Sequence, residues 1–335
     1  MKSYELTQFD LQHLTLVERP EPQPAPGQVK IKLHAASLNY RDLMFAIGVY
    51  NPKARLPAIP LSDAAGEIVA LGDGVTRWKV GDRVCPIFNQ GWLEGAPTQE
   101  KQRTTIGAGS LDGVAREFAV FHESGLVAIP AHLSFEEAAA LPCAAVTAWN
   151  ALVEHGNLKS GQTVLTLGTG GVSVFAIQFA KMHGARVIAT SSSDEKLARA
   201  RHLGAHETIN YKRTPDWDKE VRRLTSDVGV DHIVEVGGAG TLQKSLNAVR
   251  VAGHIALIGV LAGPADFNPI GILMKEVRLQ GIFVGSRQMF EDMNRAIELH
   301  QLRPVLDRKF PFAELPQAIA YLKSAAHFGK VIITY

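Results

Sequence analysis

Cysteine is nearly absent from this chain of 335 residues: Cys85 and Cys143 stand far apart and outside any CxxC pattern. That scarcity excludes a disulfide framework and a four-cysteine metal lobe, and each thiol is expected to be buried and unbridged in a reducing compartment. Excess charge is equally scarce. Lys plus Arg number 35 against 33 Asp plus Glu, a formal net charge of +2 with no basic run, so neither nucleic acid nor a membrane surface is expected as a partner. No apolar run approaches the roughly 18 residues that span a bilayer, and the opening MKSYELTQFD has no apolar signal core. A cytoplasmic location is the expectation. Among the 12 histidines, His202 and His206 are spaced i,i+4, but Gly204 between them reads as a helix stop, so a shared zinc face is not expected.

What is present points to two domains. The length exceeds what one core usually supports, and 46% hydrophobic with 20% charged residues is globular composition. The most informative stretch begins QTVLTLGTGGVSVFAIQFAKMHGARVIATSSSDEK at Gln162. Thr163 to Leu167 is a short β-rich run, Gly168, Gly170 and Gly171 break it, and Val172 to His183 shows helical spacing up to Gly184. A second strand, Arg186 to Thr190, completes a βαβ unit within about 30 residues, the context in which glycines let backbone approach a pyrophosphate at a helix N-terminus. Ser173 replaces the third glycine of that fingerprint, a departure expected to loosen helix-to-strand packing slightly while Val172 and its neighbours keep the phosphate contacts.

The end of the second strand reads Thr190-Ser191-Ser192-Ser193, with no carboxylate for a ribose 2′-hydroxyl. Hydroxyls of Ser191 and Ser192, with Lys196 one turn on, suit a 2′-phosphate, so the expected cofactor is NADPH. Ser193 also reads as a cap for the helix starting at Asp194, with Lys196 then a surface lysine.

Around this unit the chain divides. Residues 1 to about 130 read as a compact β lobe, with strands at Val29 to Leu33, Ala64 to Leu71 and Val80 to Ile87 and an extended connection set by prolines 20, 22, 24 and 26. Residues 89–113 read as a long loop without periodicity, in which Trp92 is either a substrate wall or a clamp on its own loop. Helices are expected at Ser134 to Ala140 and Ala144 to Glu154. Beyond Asn210 come a helix at Pro215 to Ser226, a strand at Val230 to Val236, a helix at Leu242 to Val249 and a strand at His254 to Gly259, an alternation that makes a doubly wound parallel sheet. A strand at Val277 to Val284, helices at Phe290 to Gln301 and Leu315 to Ala325, and a closing strand at Lys330 to Thr334 return the chain to the first lobe. The expected domains are 1–130 with 282–335, and 131–281, with the ligand cleft at their junction.

The segments ASLNYRD at 36–42, PAIPLSDAAGEIVALGDGVTRWKVGDRV at 57–84, LDGVAREF at 111–118, the glycine turn and GVDHIVEVGG at 229–238 resemble the medium-chain dehydrogenase/reductase superfamily across essentially the whole chain. The resemblance implies an α/β fold, a GroES-like β lobe plus a Rossmann doubly wound parallel sheet domain, and a homodimer. Zinc alcohol dehydrogenases of that superfamily ligate a catalytic metal with cysteine, histidine and cysteine. The matching positions here are Asn39, Ser62 and Cys143, one ligand of three, and 89–113 holds no cysteine. No metal site is therefore expected, and the chain looks like the quinone oxidoreductase and enoyl reductase branch. Its GTGGVS turn also resembles proteins labelled zinc-type alcohol dehydrogenases.

Without a Lewis acid the acceptor must carry its own electron sink, as a quinone or an α,β-unsaturated carbonyl does. Asn39 and Tyr50 are the catalytic candidates: the spacing Asn39-x-x-Asp42 followed by Gly48-x-Tyr50 resembles enoyl thioester reductases with a proton-donating tyrosine. Asn39 would donate an amide N–H to the acceptor oxygen, or hold a water that does. Tyr50 also fits a loop-packing aromatic before Pro52, and Asp42 reads as a loop-ordering carboxylate. By the resemblance Thr147 packs on the nicotinamide and Tyr211 flanks the adenosine phosphate; each also suits a structural place, as a helical hydroxyl and a strand end. Lys330 in FGKVII either reaches the cofactor or is an edge-strand lysine. Phe88, Trp92 and Phe283 are expected pocket walls. Two further readings stay open, an NAD(P)-dependent alcohol or aldehyde dehydrogenase and a low-turnover NADPH-binding sensor or structural protein.

Overall fold

The computed structural model describes every residue except Ser110 and Pro264. Ser110 falls in the loop expected over 89–113 and lies outside the described residues. Two compact units emerge, Met1–Val146 with Gly285–Tyr335, and Thr147–Val284. Residues 131–146, expected with the nucleotide domain, sit in the first unit. The helix Phe135–Ala139 packs on the strands Gln28–Ser37 and Asp63–Leu71, and the Phe135 ring stacks on His34 at 4.4 Å.

The first unit is built on a seven-stranded sheet. Its order is Leu306–Pro311, Lys330–Thr334, Gln28–Ser37, Asp63–Leu71, Arg83–Pro86 and Leu126–Ala128, with Phe118–His122 also paired to Gln28–Ser37. Alternation along Gln28–Ser37 explains the core: Val29, Ile31 and Leu33 are buried and pack with Ile68, Val84, Phe45 and Ile333. The chain's end does return here. Ile332 pairs with Ser37 and Thr334 with Ala35, while the other edge of this strand pairs in parallel with Leu306–Pro311, a strand the sequence pattern did not reveal. Lys330–Thr334 is thus an interior strand, which removes the edge-strand reading of Lys330.

The lobe is not all β. A helix, Tyr40–Ala46, follows Asn39, and the Asp42 carboxylate accepts the Asn39 backbone N–H at 2.8 Å, one half of a capping box. Leu43, Phe45 and Ala46 bury its inner face. The loop expected to lack structure contains a helical turn, Gln99–Gln102, capped by Thr98. It is also closed on itself: Thr105 Oγ1 donates to Asn89 Oδ1 at 2.5 Å, and the Lys101 ammonium donates to the carbonyls of Glu94 and Ala96. The helix expected from Ala144 is one α-helical turn, Val146–Trp149, between wider π-helical turns at Leu141–Ala145 and Asn150–Glu154.

The second unit carries a six-stranded, all-parallel sheet in the order Glu207–Asn210, Arg186–Ser191, Thr163–Thr166, Val230–Glu235, Val249–Leu257 and Arg278–Gly281. In chain order the strands are added outward from Thr163–Thr166 to one side, then outward from Val230–Glu235 to the other, the two mononucleotide-binding halves of a Rossmann sheet. Continuous apolar runs such as Val187 to Ala189 are wholly buried because helices lie on both faces. Gly204, at φ 125°, ends the helix Asp194–Leu203, so His202 and His206 do not share a helical face. The His206 ring accepts the Val187 N–H instead. Among the described residues no helix is long and apolar enough to cross a membrane.

One buried polar pair ties the centre of this sheet to pH. His232 and His254 face each other from adjacent strands with Nδ1 atoms 3.4 Å apart, and His232 Nε2 lies 2.9 Å from Gln162 Oε1. That amide oxygen also accepts the Lys159 N–H, so it is an acceptor and His232 carries its proton on Nε2. His254 must then donate from Nδ1. A further proton on His232 Nδ1 would oppose the His254 donor, one on His254 Nε2 would meet no acceptor among the described residues, and burial lowers His232 to about 4 and His254 to about 3. The unfolded chain therefore binds more protons between about 6.5 and 3, and the pair's stabilisation is complete above 6.5 and lost as pH falls through that window. Urea unfolding of the second unit at pH 7 and pH 5 should show this loss, and His254→Leu should flatten it. An unchanged slope in the variant would contradict the assignment.

Candidate active site and cofactor turn

The residues singled out in the sequence fall into two sets, one in each unit. In the first unit the sheet and the Tyr40–Ala46 helix hold Asn39, buried at 9% exposure, at the helix N-cap. Lys330 is buried at 3% exposure, and its ammonium donates to Asn39 Oδ1 at 2.6 Å and to the Leu38 carbonyl at 2.7 Å. Asn39 Nδ2 donates to Ser62 Oγ at 3.5 Å. Ser62 Oγ donates to Asp63 Oδ1 at 2.7 Å, and the other carboxylate oxygen accepts the Cys143 N–H at 3.0 Å.

This chain of bonds has only one direction. An ammonium has no acceptor and a carboxylate no hydrogen, so the two ends fix the Asn39 amide and the Ser62 hydroxyl between them. The second Nδ2 hydrogen of Asn39 meets no acceptor among the described residues. Asn39, Ser62 and Cys143 are thus brought together, as their matching positions imply, but the contacts joining them are hydrogen bonds. Burial, with the Asp63 charge beside it, pushes the Cys143 thiol far above its ordinary range. Among the described residues no cluster of three or more His, Cys, Asp and Glu side chains has metal-binding geometry.

Tyr50 follows the same helix, half-buried, its N–H on the Met44 carbonyl. The Arg41 guanidinium lies over its ring at 5.1 Å and over Phe88 at 4.7 Å, while Arg41 Nη2 donates to the Ile106 carbonyl at 2.9 Å. Burial raises the phenol above its ordinary value against the pull of Arg41, so at neutral pH Tyr50 carries a proton to give. Asp42 is buried and pushed up to about 6, burial outweighing Arg41 and the Asn39 N–H. Its capping bond bears out a role in ordering the segment. Trp92 is buried, and its indole N–H donates to the Gly95 carbonyl at 2.8 Å, the clamp on its own loop.

In the second unit the glycine turn joins the strand Thr163–Thr166 to the helix Gly171–Met182. Gly168 takes φ 72°, and a Cβ placed there meets nothing within 4 Å. Gly170 is an extended N-cap with no side chain bonding the first turn, which leaves that turn's N–H groups for a ligand. Gly171 and half-buried Val172 begin the helix. Ser173 does not loosen the packing. Its buried hydroxyl donates to the Leu167 carbonyl at 2.7 Å and ties helix to strand where the usual glycine would only allow contact.

At the next strand end, Ser191 is buried and its hydroxyl accepts the Ser193 N–H at 3.4 Å, while Ser193 caps the following helix through the Lys196 N–H at 3.4 Å. Ser192 and Lys196 are half-buried. Asp194, the nearest carboxylate, is held by Asn210 and Arg213. Tyr211 is 40% exposed, its N–H on the Ser191 carbonyl. Thr147 is buried, and Phe283 is part-exposed.

Sequence reasoning missed Arg41, Asp63 and Glu235. Glu235, wholly buried at a strand end, accepts N–H bonds from Gly237 and Gly238 and hydroxyl bonds from Thr241 and Ser245, which fix the turn of the GVDHIVEVGG motif. Each is a charge inside an apolar stretch, and that placement was the available signal.

Comparisons with known proteins bear on the family and the fold. A family model described as an alcohol dehydrogenase GroES-like domain matches residues 25–131, and one described as a zinc-binding dehydrogenase matches residues 171–299. A zinc-type alcohol dehydrogenase-like protein of Schizosaccharomyces pombe is 47% identical over 316 residues, 92% of this chain and 91% of its own. The quinone oxidoreductase of Rattus norvegicus is 30% identical over 320 residues, 93% of this chain and 90% of its own. A solved NAD-dependent alcohol dehydrogenase superposes with a TM-score of 0.92 at 34% identity, covering 100% of both chains. A mycobacterial protein solved in complex with NADPH gives 0.85 at 27% identity, also over 100% of both.

Gly168→Ala separates fold from binding at the turn. A left-handed alanine costs roughly 1–2 kcal/mol and leaves the protein folded, while its methyl enters the space where a pyrophosphate would lie. Urea unfolding and fluorescence titration with NADPH should show a small stability loss and at least a tenfold weaker Kd. An unchanged Kd would contradict the placement of the phosphates.

Proposed function

The chain belongs to the medium-chain dehydrogenase/reductase superfamily, a family of oxidoreductases acting on small molecules, and from that premise we propose that it is an NADPH-dependent, zinc-independent reductase of quinones or α,β-unsaturated carbonyls. The observation that carries the proposal is the one-way hydrogen-bond chain from Lys330 to Asp63. A zinc ion needs three lone-pair donors converging on one point. Here Asn39 Oδ1 faces a buried ammonium, Ser62 Oγ already accepts from Asn39 Nδ2, and the Cys143 thiol is held protonated. The residues present do not fit the metal.

The residues of the second unit fit a phosphorylated dinucleotide. The turn at Gly168, Gly170 and Gly171, with the helix start at Val172 and Ser173, would hold the pyrophosphate; Ser191, Ser192 and Lys196 the 2′-phosphate; Tyr211 the adenosine side; and Thr147 the nicotinamide. When bound, NADPH supplies a hydride from its nicotinamide C4. In the first unit Asn39 would donate its second Nδ2 hydrogen to the oxygen on which charge develops, and Tyr50 would give the proton that completes an enone reduction. Alcohol or aldehyde oxidoreduction is the alternative, drawn from the relatives' names. It asks for an oxygen activator stronger than an amide N–H.

A panel of quinones, enones, simple ketones and aldehydes, assayed with NADPH and NADH side by side, tests the proposal. Quinone or enone turnover with at least tenfold preference for NADPH is expected, with Tyr50→Phe lowering kcat on enones by about 10²-fold. Preference for NADH, or turnover confined to alcohols and aldehydes, would contradict it.

A further inference from the structure

We propose that Lys330 is a positioning residue: its buried ammonium fixes the rotamer and amide orientation of Asn39, so that an N–H and not a carbonyl oxygen is presented to the reacting acceptor. The inference rests on the reading of Asn39 as the donor.

An asparagine side chain is free in one respect. Its amide can rotate by half a turn at almost no change in shape, exchanging a donor for an acceptor. Presenting the oxygen would repel the charge developing on an enolate or quinol. Lys330 removes that choice, since its ammonium, 2.6 Å from Asn39, can only donate. The Leu38 carbonyl at 2.7 Å holds the ammonium at its other side. Ser62 then confirms the orientation from below, because its own hydrogen is committed to Asp63 and its lone pair must receive Nδ2. The lysine belongs to the strand Lys330–Thr334, bonded on both edges, and the asparagine to the start of a helix whose N-cap N–H is held by Asp42. Both backbones are thus held in regular elements, and the side chains meet across 291 residues of sequence.

A double-mutant cycle on the full-length protein tests this, with enone kcat and NADPH Kd as readouts. Asn39→Ala and Lys330→Met should each lower kcat by about 10²-fold with Kd within twofold of the parent. The double variant should fall no further than either single one, and Lys330→Arg, which keeps donors, should recover part of the loss. Multiplying effects in the double variant, or full activity in Lys330→Met, would overturn the proposal while leaving the reductase reading intact. An unmodified protein inactive on every quinone and enone would overturn both. Should Lys330→Met fail to fold, exchange of the Lys330 ammonium and Asn39 Nδ2 protons in the unmodified protein, followed by nitrogen-15 NMR, decides. Slow exchange of both supports the contact, and solvent-like exchange overturns it.

Discussion

A buried ammonium facing one amide oxygen is the contact on which the rest of the first unit's chemistry depends. Lys330 can only donate and Asp63 can only accept, so Asn39 and Ser62 between them have no freedom of direction. Burying a cation costs several kcal/mol unless its donors are satisfied and an anion shares the site. Here the carbonyl of Leu38, the amide of Asn39 and the carboxylate of Asp63 supply that compensation. The same contacts engage Asn39 Oδ1 and Ser62 Oγ, two of the three positions at which a zinc site would need a free lone pair.

In the proposed reading the second unit meets a different problem, how to hold a highly charged ligand with few charged side chains, and backbone is the means it offers. A left-handed Gly168, an uncapped helix start and a hydroxyl-rich strand end offer N–H and O–H donors that need no counter-ion in their absence. Internal ties at Ser173 and Glu235 keep the two loops at the strand ends in shape, so that little ordering is left for binding to cost.

Much of this was legible in the sequence, and the reason is periodicity. The βαβ unit, the alternating half that follows it, and the returning C-terminal strand all show apolar spacing that matches their elements, because each buries a regular face. The Tyr40–Ala46 helix was hidden for a specific reason: Asn39-x-x-Asp42 is both a site pattern and a capping pattern, and only the second explains why a helix begins there. The edge-strand alternative for Lys330 failed because an isolated lysine on a strand looks the same whether the strand is at an edge or inside. Its partner lies about 290 residues away, and the parallel neighbour Leu306–Pro311 carries too many charges to announce itself as a strand. Arg41 went unseen because its carbonyl partner, Ile106, lies 65 residues away, while Glu235, whose partners are all within ten residues, left a local signal only in being a charge inside an apolar run.

In the proposed site an internal ammonium takes the organising part that a metal ion would have. Its most direct test is the zinc content of the purified protein, measured by elemental mass spectrometry alongside NADPH-driven turnover before and after exhaustive chelation. Substoichiometric zinc and unchanged turnover are predicted. One zinc per chain whose removal abolishes turnover, with activity restored when it is returned, would contradict the account.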